Sequence, residues 1–302
     1  MSEPLHLALL QHACVDDPAQ NLAVVSDMIR EAAGRGATLI VTQELFKSLY
    51  FCVAEDPAAF DLAEPIPGPT TQHLGDLAKE LRVSISASLF ERRAAGLYHN
   101  TSVLIDPTGQ IAGKYRKMHI PDDPSYLEKY YFTPGDLGFR AHPLAGTADA
   151  SSENENATGR VGMLVCWDQW FPEAARLTAM QGAEVLLYPT AIGWHAEDSA
   201  EDHAAQLDAW QTVQRSHAIA NGVFVAVPNR IGTEGVNTFW GHSFIADPMG
   251  RVLAEASSDQ PEILTAELDL SMVEKSRREW NLFFRDRRPD AYSGLIQRWG
   301  DE

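Results

Sequence analysis

The 302-residue chain predicts one α/β domain of the α+β kind, residues 1–302, in which helices cover a sheet. Three observations point there. Apolar runs of strand length alternate with segments of helical period, as in βαβ units. Hairpin-linked runs interrupt that rhythm and bring in antiparallel pairing. No linker-like stretch divides the chain.

Taken in order, "LHLALLQ" opens as a strand. Leu22, Val25, Ile29 and Ala32 follow helical spacing, with Gly34 as the stop. "ATLIVTQE" predicts a buried strand ending at Glu44, and Thr70 or Thr71 caps a second helix carrying Leu74, Leu77 and Leu81 on one face. "VSISASLFE", "HNTSVLID" and "QIAGKYRK" follow as strands, the last two joined by the turn "DPTG". The polar stretch Gly146–Gly159 predicts a surface loop. Val161, Met163 and Val165 then alternate up to Cys166, and Pro172 with Glu173 suits the first turn of a helix over 172–181. "AEVLLYPT" is a strand, and Leu207, Trp210, Val213 and His217 step along another helix. "GVFVAVPN", "SFIAD", "RVLAEA" and "ILTAEL" complete the strands, with "DPMG" as a hairpin turn; Ser271 and Glu274 predict a capping box on a short last helix. The sequence contains no internal repeat.

A hydrophobic content of 45% and a charged content of 22% are those of an ordinary globular protein. The formal charge of −18 argues against nucleic acid or an anionic membrane as partner and favours a cationic small ligand. Apolar runs such as "GVFVAV" are too short to span a bilayer, and "MSEPLHLALLQH" lacks the pattern of a secretory signal, so the cytoplasm is the expected compartment. Cys14, Cys52 and Cys166 are too few and too scattered for a disulfide framework.

Cys166 stands between an apolar run and an expected helix, which suits either a buried structural thiol or a nucleophile whose pKa a helix N-terminus lowers. A nucleophilic cysteine needs a base and a cation for the oxyanion. Glu44, at the end of "TLIVTQE", can supply the base, and Lys117 in "GKYRKMHIP" the cation; each also reads as a solvated surface charge. Rival sites are poorer. "CWDQW" taken with His195 and His203 lacks metal-ligand spacing, and His119 and His242 read as hydrogen-bonded structural residues. Phosphate-loop, dinucleotide and GxSxG motifs are missing, and Cys14 and Cys52 read as small buried hydrophobes.

"TQELF", "GKYRKMHIPDDPSYLEKYYFTPGD" and "GMLVCWDQWFPEAARL" together resemble the carbon–nitrogen hydrolase (nitrilase) superfamily over nearly the whole chain. The resemblance implies a four-layer αββα sandwich, a homodimer or higher homo-oligomer formed through its helical layer, and no cofactor or metal. It makes Glu44, Lys117 and Cys166 the catalytic set, Glu128 a second glutamate beside it, and the Trp167 N–H an oxyanion donor. "YPTAIG", "NRIG" and "FRDRRPDAY" narrow the likeness to members acting on N-carbamoylputrescine, which would place the chain in polyamine formation. The distal ammonium of that substrate would meet Asp122 or Asp123, with Tyr50 and Trp194 as walls, although "PDDP" is also a good solvated turn. A sibling activity on N-carbamoyl-β-alanine or an N-carbamoyl amino acid is the alternative, with a non-catalytic scaffold of the same fold further behind.

Overall fold

Leu5, Leu7 and Leu9 of the first strand face one core while Ala8 and Leu10 face another. A strand with a second sheet on one side and helices on the other must be apolar at nearly every position, and this run is. The computed structural model describes residues 4–145, 157–280 and 282–299. In chain order β1 (Leu5–Gln11), α1 (Pro18–Gly34), β2 (Leu39–Val41), α2 (Pro69–Leu81), β3 (Ser84–Ala94), β4 (Leu97–Ile105) and β5 (Ile111–Arg116) form the first half. After the one-turn helix α3 (Glu128–Tyr131) come β6 (Ala141–Ala145), β7 (Ala157–Met163), α4 (Pro172–Met180), β8 (Val185–Leu187), β9 (Gly193–His195) and α5 (Ala200–Asn221). The rest is β10 (Phe224–Val227), β11 (Ile231–Glu234), β12 (Asn237–Trp240), β13 (Phe244–Ala246), β14 (Val252–Glu255), β15 (Glu262–Leu268) and α6 (Ser271–Glu279).

Two six-stranded sheets result, ordered β15-β1-β2-β3-β4-β5 and β14-β13-β10-β8-β7-β6. In the first, β1, β2 and β3 are parallel and β15, β4 and β5 antiparallel to their neighbours. In the second, β7, β8 and β10 are parallel, with β6, β13 and β14 antiparallel. The helices α1 and α2 cross between the parallel strands of the first sheet as α4 and α5 do in the second. One topology is therefore used twice, without a repeat in the sequence.

Inner faces of both sheets meet in one core, where Leu7, Leu9, Leu39 and Val41 lie among Met163, Val185, Val225 and Phe244. Val25, Ile29, Leu74 and Leu77 of α1 and α2 pack on the outer face of the first sheet, against Ala8, Ile40, Ile85 and Val103. Ala174, Ala179, Trp210 and Ala218 of α4 and α5 do the same for the second. This is the four-layer αββα sandwich. A third, three-stranded sheet, β11-β12-β9, was not anticipated; its strands are three or four residues long and carry glycine and polar residues.

Three boundary expectations are corrected. The helix α2 is capped at Gly68 rather than Thr70 or Thr71: the Glu64 carboxylate accepts from Thr70 N (2.9 Å), and Thr71 Oγ1 accepts from Gly68 N (2.8 Å). No capping box forms at Ser271, because Asp269 accepts from its N–H (3.0 Å) and Glu274 pairs with Arg278 instead. Of the expected loop Gly146–Gly159, residues 146–156 lie outside the described ones and 157–159 belong to β7. Among the described residues no helix is long and apolar enough to cross a membrane.

Gly162 of β7 sets the distance to α4, since a Cβ there would stand 2.1 Å from Thr178 Cγ2 and 3.1 Å from Ala183 Cβ. Thr178 cannot swing aside freely, as its hydroxyl donates to Ala174 O at 2.8 Å. Gly162→Ala should cost about 1–3 kcal/mol by overpacking. Urea unfolding should show this as a lower midpoint at unchanged slope; an unmoved midpoint would refute the close helix–sheet contact.

Candidate active site

The strand β2 stops at Val41, and the three residues beyond it turn across the top of the sheet. This corrects the expected strand ending at Glu44. Thr42 N still donates to Ser86 O at 3.0 Å, but Glu44 N donates across to Thr190 O of the second half at 3.4 Å. Leu45 then adopts φ +46°, a left-handed conformation that costs a branched residue about 1–2 kcal/mol. Its N–H donates to Ser88 Oγ (3.2 Å) and its carbonyl accepts from Arg230 Nη2 (3.0 Å), which hold the turn.

Lys117 is the first residue beyond β5, tied by its N–H to Asn100 O at 2.8 Å. Its neighbour Arg116 forks onto Glu91, Nε to Oε2 and Nη2 to Oε1, both 2.8 Å. Alternation along an extended chain sends the two side chains opposite ways, and Lys117 points into the molecule. There it is fully buried and donates to Glu44 Oε1 at 2.9 Å and Glu128 Oε2 at 2.7 Å. Glu128, the first residue of α3, accepts from the Tyr50 hydroxyl on its other oxygen at 2.7 Å. Asn100 Nδ2 donates to Glu44 Oε1 at 2.7 Å, while Glu44 Oε2 is buried without a hydrogen-bond partner among the described residues. Neither Glu44 nor Lys117 is a solvated surface charge.

Cys166 is 5% exposed and has φ +40°. Its N–H donates to Pro189 O at 2.9 Å, and it opens a 3-10 segment, Cys166–Trp170. Asp168 locks that corner. Its buried carboxylate accepts from Val165 N (2.9 Å) and Tyr115 OH (2.8 Å) on one oxygen, and from His119 N (3.1 Å) and Nδ1 (2.7 Å) on the other. The His119 ring stacks on Phe171 at 3.8 Å. The N–H of Trp167 lies in the first turn of the 3-10 segment, where intrahelical acceptors are lacking.

Burial and two like charges dominate the electrostatics. The Cys166 thiol is pushed well up by burial first and by Glu44 and Glu128, against the pull of Lys117 and of the Ala191 backbone. The net direction is opposite to the lowering expected from a helix N-terminus; Cys166 itself opens the 3-10 segment, and α4 begins only at Pro172. Burial works against the Lys117 ammonium, but Glu128 and Glu44 outweigh it and hold its pKa well above the usual lysine range. Burial raises Glu128 to about 7, opposed by Lys117 and reinforced by Glu44. The group can therefore keep a proton on sulfur at rest, pass it to the unpartnered Glu44 oxygen, and hold a negative oxygen near Lys117.

Other expected positions fall outside this group. Asp122 and Asp123 are exposed, and Asp122 faces Lys129 at 3.7 Å; they sit on the turn that "PDDP" also predicts. Trp194 stacks on His203 at 4.7 Å and donates its indole N–H to the His203 carbonyl at 3.1 Å. Tyr50 joins the group through its hydroxyl on Glu128. A cavity of about 260 Å³ beside the site is lined by Leu45, Lys47, Glu64, Ser88 and Phe90, not by Cys166. Among the described residues, no group of three or more His, Cys, Asp or Glu side chains is arranged to hold a metal ion. Sequence reading missed Asn100, Asp168 and Arg230. For Asp168 the flank "CWD" was in view, but its partners Tyr115 and His119 lie about fifty residues earlier.

A buried thiol lies beside a carboxylate–ammonium–carboxylate chain at the seam of an αββα sandwich, and the class of protein this fold defines is the hydrolases that act on amides. Residues 6–278 match the carbon-nitrogen hydrolase family, and the chain belongs to that family. It is 43% identical to the N-carbamoylputrescine amidase of Solanum lycopersicum, over 96% of this chain and 94% of that protein. It is also 40% identical to a citrullinase of Francisella tularensis, over 98% and 99% of the two lengths. A carbon-nitrogen hydrolase from Helicobacter pylori superposes with a TM-score of 0.91 at 44% identity, covering 98% of this chain and 100% of that one.

Asp168→Asn replaces one acceptor with a donor amid three N–H groups and a hydroxyl, a loss of about 1–3 kcal/mol at this corner. Iodoacetamide labelling of Cys166 should then slow by about tenfold or more, in line with the cost of a misplaced reacting group. Labelling at the wild-type rate would show that Asp168 does not set the corner. Glu44→Gln removes a charge that raises the thiol, so the pH midpoint of Cys166 labelling should move down while turnover is lost. A midpoint that rises or stays put would show that Glu44 does not face the sulfur.

Proposed function

We propose that this chain hydrolyses N-carbamoylputrescine to putrescine, ammonia and carbon dioxide, with Cys166 as nucleophile, Glu44 as acid and base, and Lys117 as the oxyanion cation. The observation that carries the chemistry is the Glu44–Lys117–Glu128 chain, in which one Glu44 oxygen is left free inside the site that holds Cys166. Glu44 takes the Sγ proton, and sulfur bonds to the ureido carbon while its C=O electrons move to oxygen. Lys117 and the Trp167 N–H hold that oxygen. The bond to the terminal nitrogen then breaks, Glu44 returns the proton, and ammonia leaves a carbamoyl thioester. Glu44 next deprotonates water, which attacks the thioester carbon, and sulfur departs and is reprotonated. The released carbamate splits into carbon dioxide and the amine. Glu128, held by Tyr50, keeps Lys117 oriented throughout.

The substrate rests on the likeness to the amidase of Solanum lycopersicum and on the formal charge of −18, which suits a cationic chain end. A second reading has one observation in its favour, the 40% identity to a citrullinase. Citrulline carries the same ureido group on a similar carbon chain but adds a carboxylate, which needs a cation that N-carbamoylputrescine does not. We also infer self-association through the helical layer, where Leu177 and Met180 of α4 are exposed, as are Trp280 and Phe283; light scattering giving a monomer mass would overturn it.

Cys166→Ala and Cys166→Ser should abolish ammonia release with the fold retained, because a serine hydroxyl is too weakly acidic to ionise there. Either variant turning over like the wild type removes Cys166 from the mechanism. Ammonia release should be faster on N-carbamoylputrescine than on citrulline or N-carbamoyl-β-alanine by about tenfold or more in kcat/KM, as an unmatched buried carboxylate is rejected. Equal values would sink the diamine assignment, and a preference for citrulline would select the second reading.

A further inference from the structure

Arg230 is fully buried one residue before β11, with no place in the reaction just described. Its Nη2 donates to the carbonyls of Glu44 (3.1 Å) and Leu45 (3.0 Å), and its Nη1 donates to both oxygens of Glu234 (2.9 and 3.0 Å). Glu234 Oε2 in turn accepts from the backbone N–H of Tyr50 at 2.5 Å. Tyr50 donates its hydroxyl to Glu128, and Glu128 reaches Glu44 through Lys117. The contacts close into a ring, Glu44–Lys117–Glu128–Tyr50–Glu234–Arg230 and back to Glu44, and the guanidinium also lies over the Phe239 ring at 5.4 Å.

We propose that Arg230 and Glu234 are positioning residues for the reaction: as one pair they hold both active-site carboxylates, Glu44 by its main chain and Glu128 through Tyr50. A buried pair of this kind contributes little to stability against an apolar replacement of equal shape, so its value lies in what it orients. The segment it holds needs holding. Leu45 is in the left-handed region, the strand has already ended at Val41, and the Glu44 N–H makes a long 3.4 Å bond to Thr190 O. The planar fork of arginine can span Glu234 and two carbonyls at once, which the point charge of lysine cannot. Displacement of Glu44 by about 1 Å would cost turnover on the order of a hundredfold.

The inference rests on the reading that Glu44 and Cys166 carry the chemistry, and two readouts separate its failure from that of the substrate assignment. The first is kcat and KM for ammonia release from N-carbamoylputrescine. The second is the pH midpoint of iodoacetamide labelling at Cys166, which needs no substrate. In Glu234→Gln and in Arg230→Lys, kcat should fall by about tenfold or more with KM within threefold, as for an interaction made in the transition state. The labelling midpoint should move down in both variants, because burial and the two carboxylates that raise the thiol are loosened together. The double variant should lose no more than the worse single one, as expected of groups acting as a unit. Should a substitution in the pair unfold the chain, Tyr50→Phe cuts the ring at Glu128 with the pair intact and should give the same two changes. Folded variants with a wild-type midpoint overturn the proposal whether or not kcat falls. If wild-type protein releases no ammonia from N-carbamoylputrescine, the substrate assignment fails, and the labelling midpoints alone decide on the pair.

Discussion

An ammonium with no access to water, held between two carboxylates, is the interaction on which the site depends. Removing Lys117 from solvent is costly, and only the bonds to Glu44 and Glu128 at 2.9 and 2.7 Å offset it. Those same bonds fix where Glu44 can point. One of its oxygens is taken by Lys117 and Asn100, which leaves the other for a proton. With two negative groups and one positive group beside it, the Cys166 sulfur keeps its proton until a base accepts it. The arrangement sets a resting state in which the sulfur is protonated.

What was legible in the sequence follows from how local each signal is. The strand-helix alternation around Cys166 and the apolar run before Glu44 are contiguous, so their elements could be placed from a few residues. The chemistry of Lys117 could be guessed only as one of several basic side chains in "GKYRK", because nothing in its neighbours says that it is buried. The placement of Arg230, although it stands in "NRIG", was illegible for a stronger reason: two of its partners, the carbonyls of Glu44 and Leu45, are about 185 residues away and are main-chain atoms, which carry no sequence signature. Family likeness implied roles for Glu44, Lys117, Glu128 and Cys166 that spacing alone could not. It said less about Asp122 and Asp123, since an exposed turn and a ligand loop are written in the same residues.

Each misplaced boundary was decided by a partner that local propensity does not name. Beyond β2 the partners are far along the chain, Thr190 and Ser88, whereas at α2 and α6 they are near neighbours, Glu64 for Thr70 and Asp269 for Ser271. Side chains that satisfy orphan backbone donors are selected by the fold's geometry, and a terminus forms where such a partner stands. The three-stranded β11-β12-β9 sheet is another case, as its strands are too short to show a period.

The twice-used topology divides the groups of the site unevenly. Glu44 and Lys117 belong to the first sheet's half, and Cys166 and the arginine that grips Glu44 belong to the second. Neither half holds the whole set by itself. An exact two-fold copy of either half would put carboxylate and ammonium, or thiol and guanidinium, on both sides of the seam and never all four together. Like backbones thus carry unlike side chains.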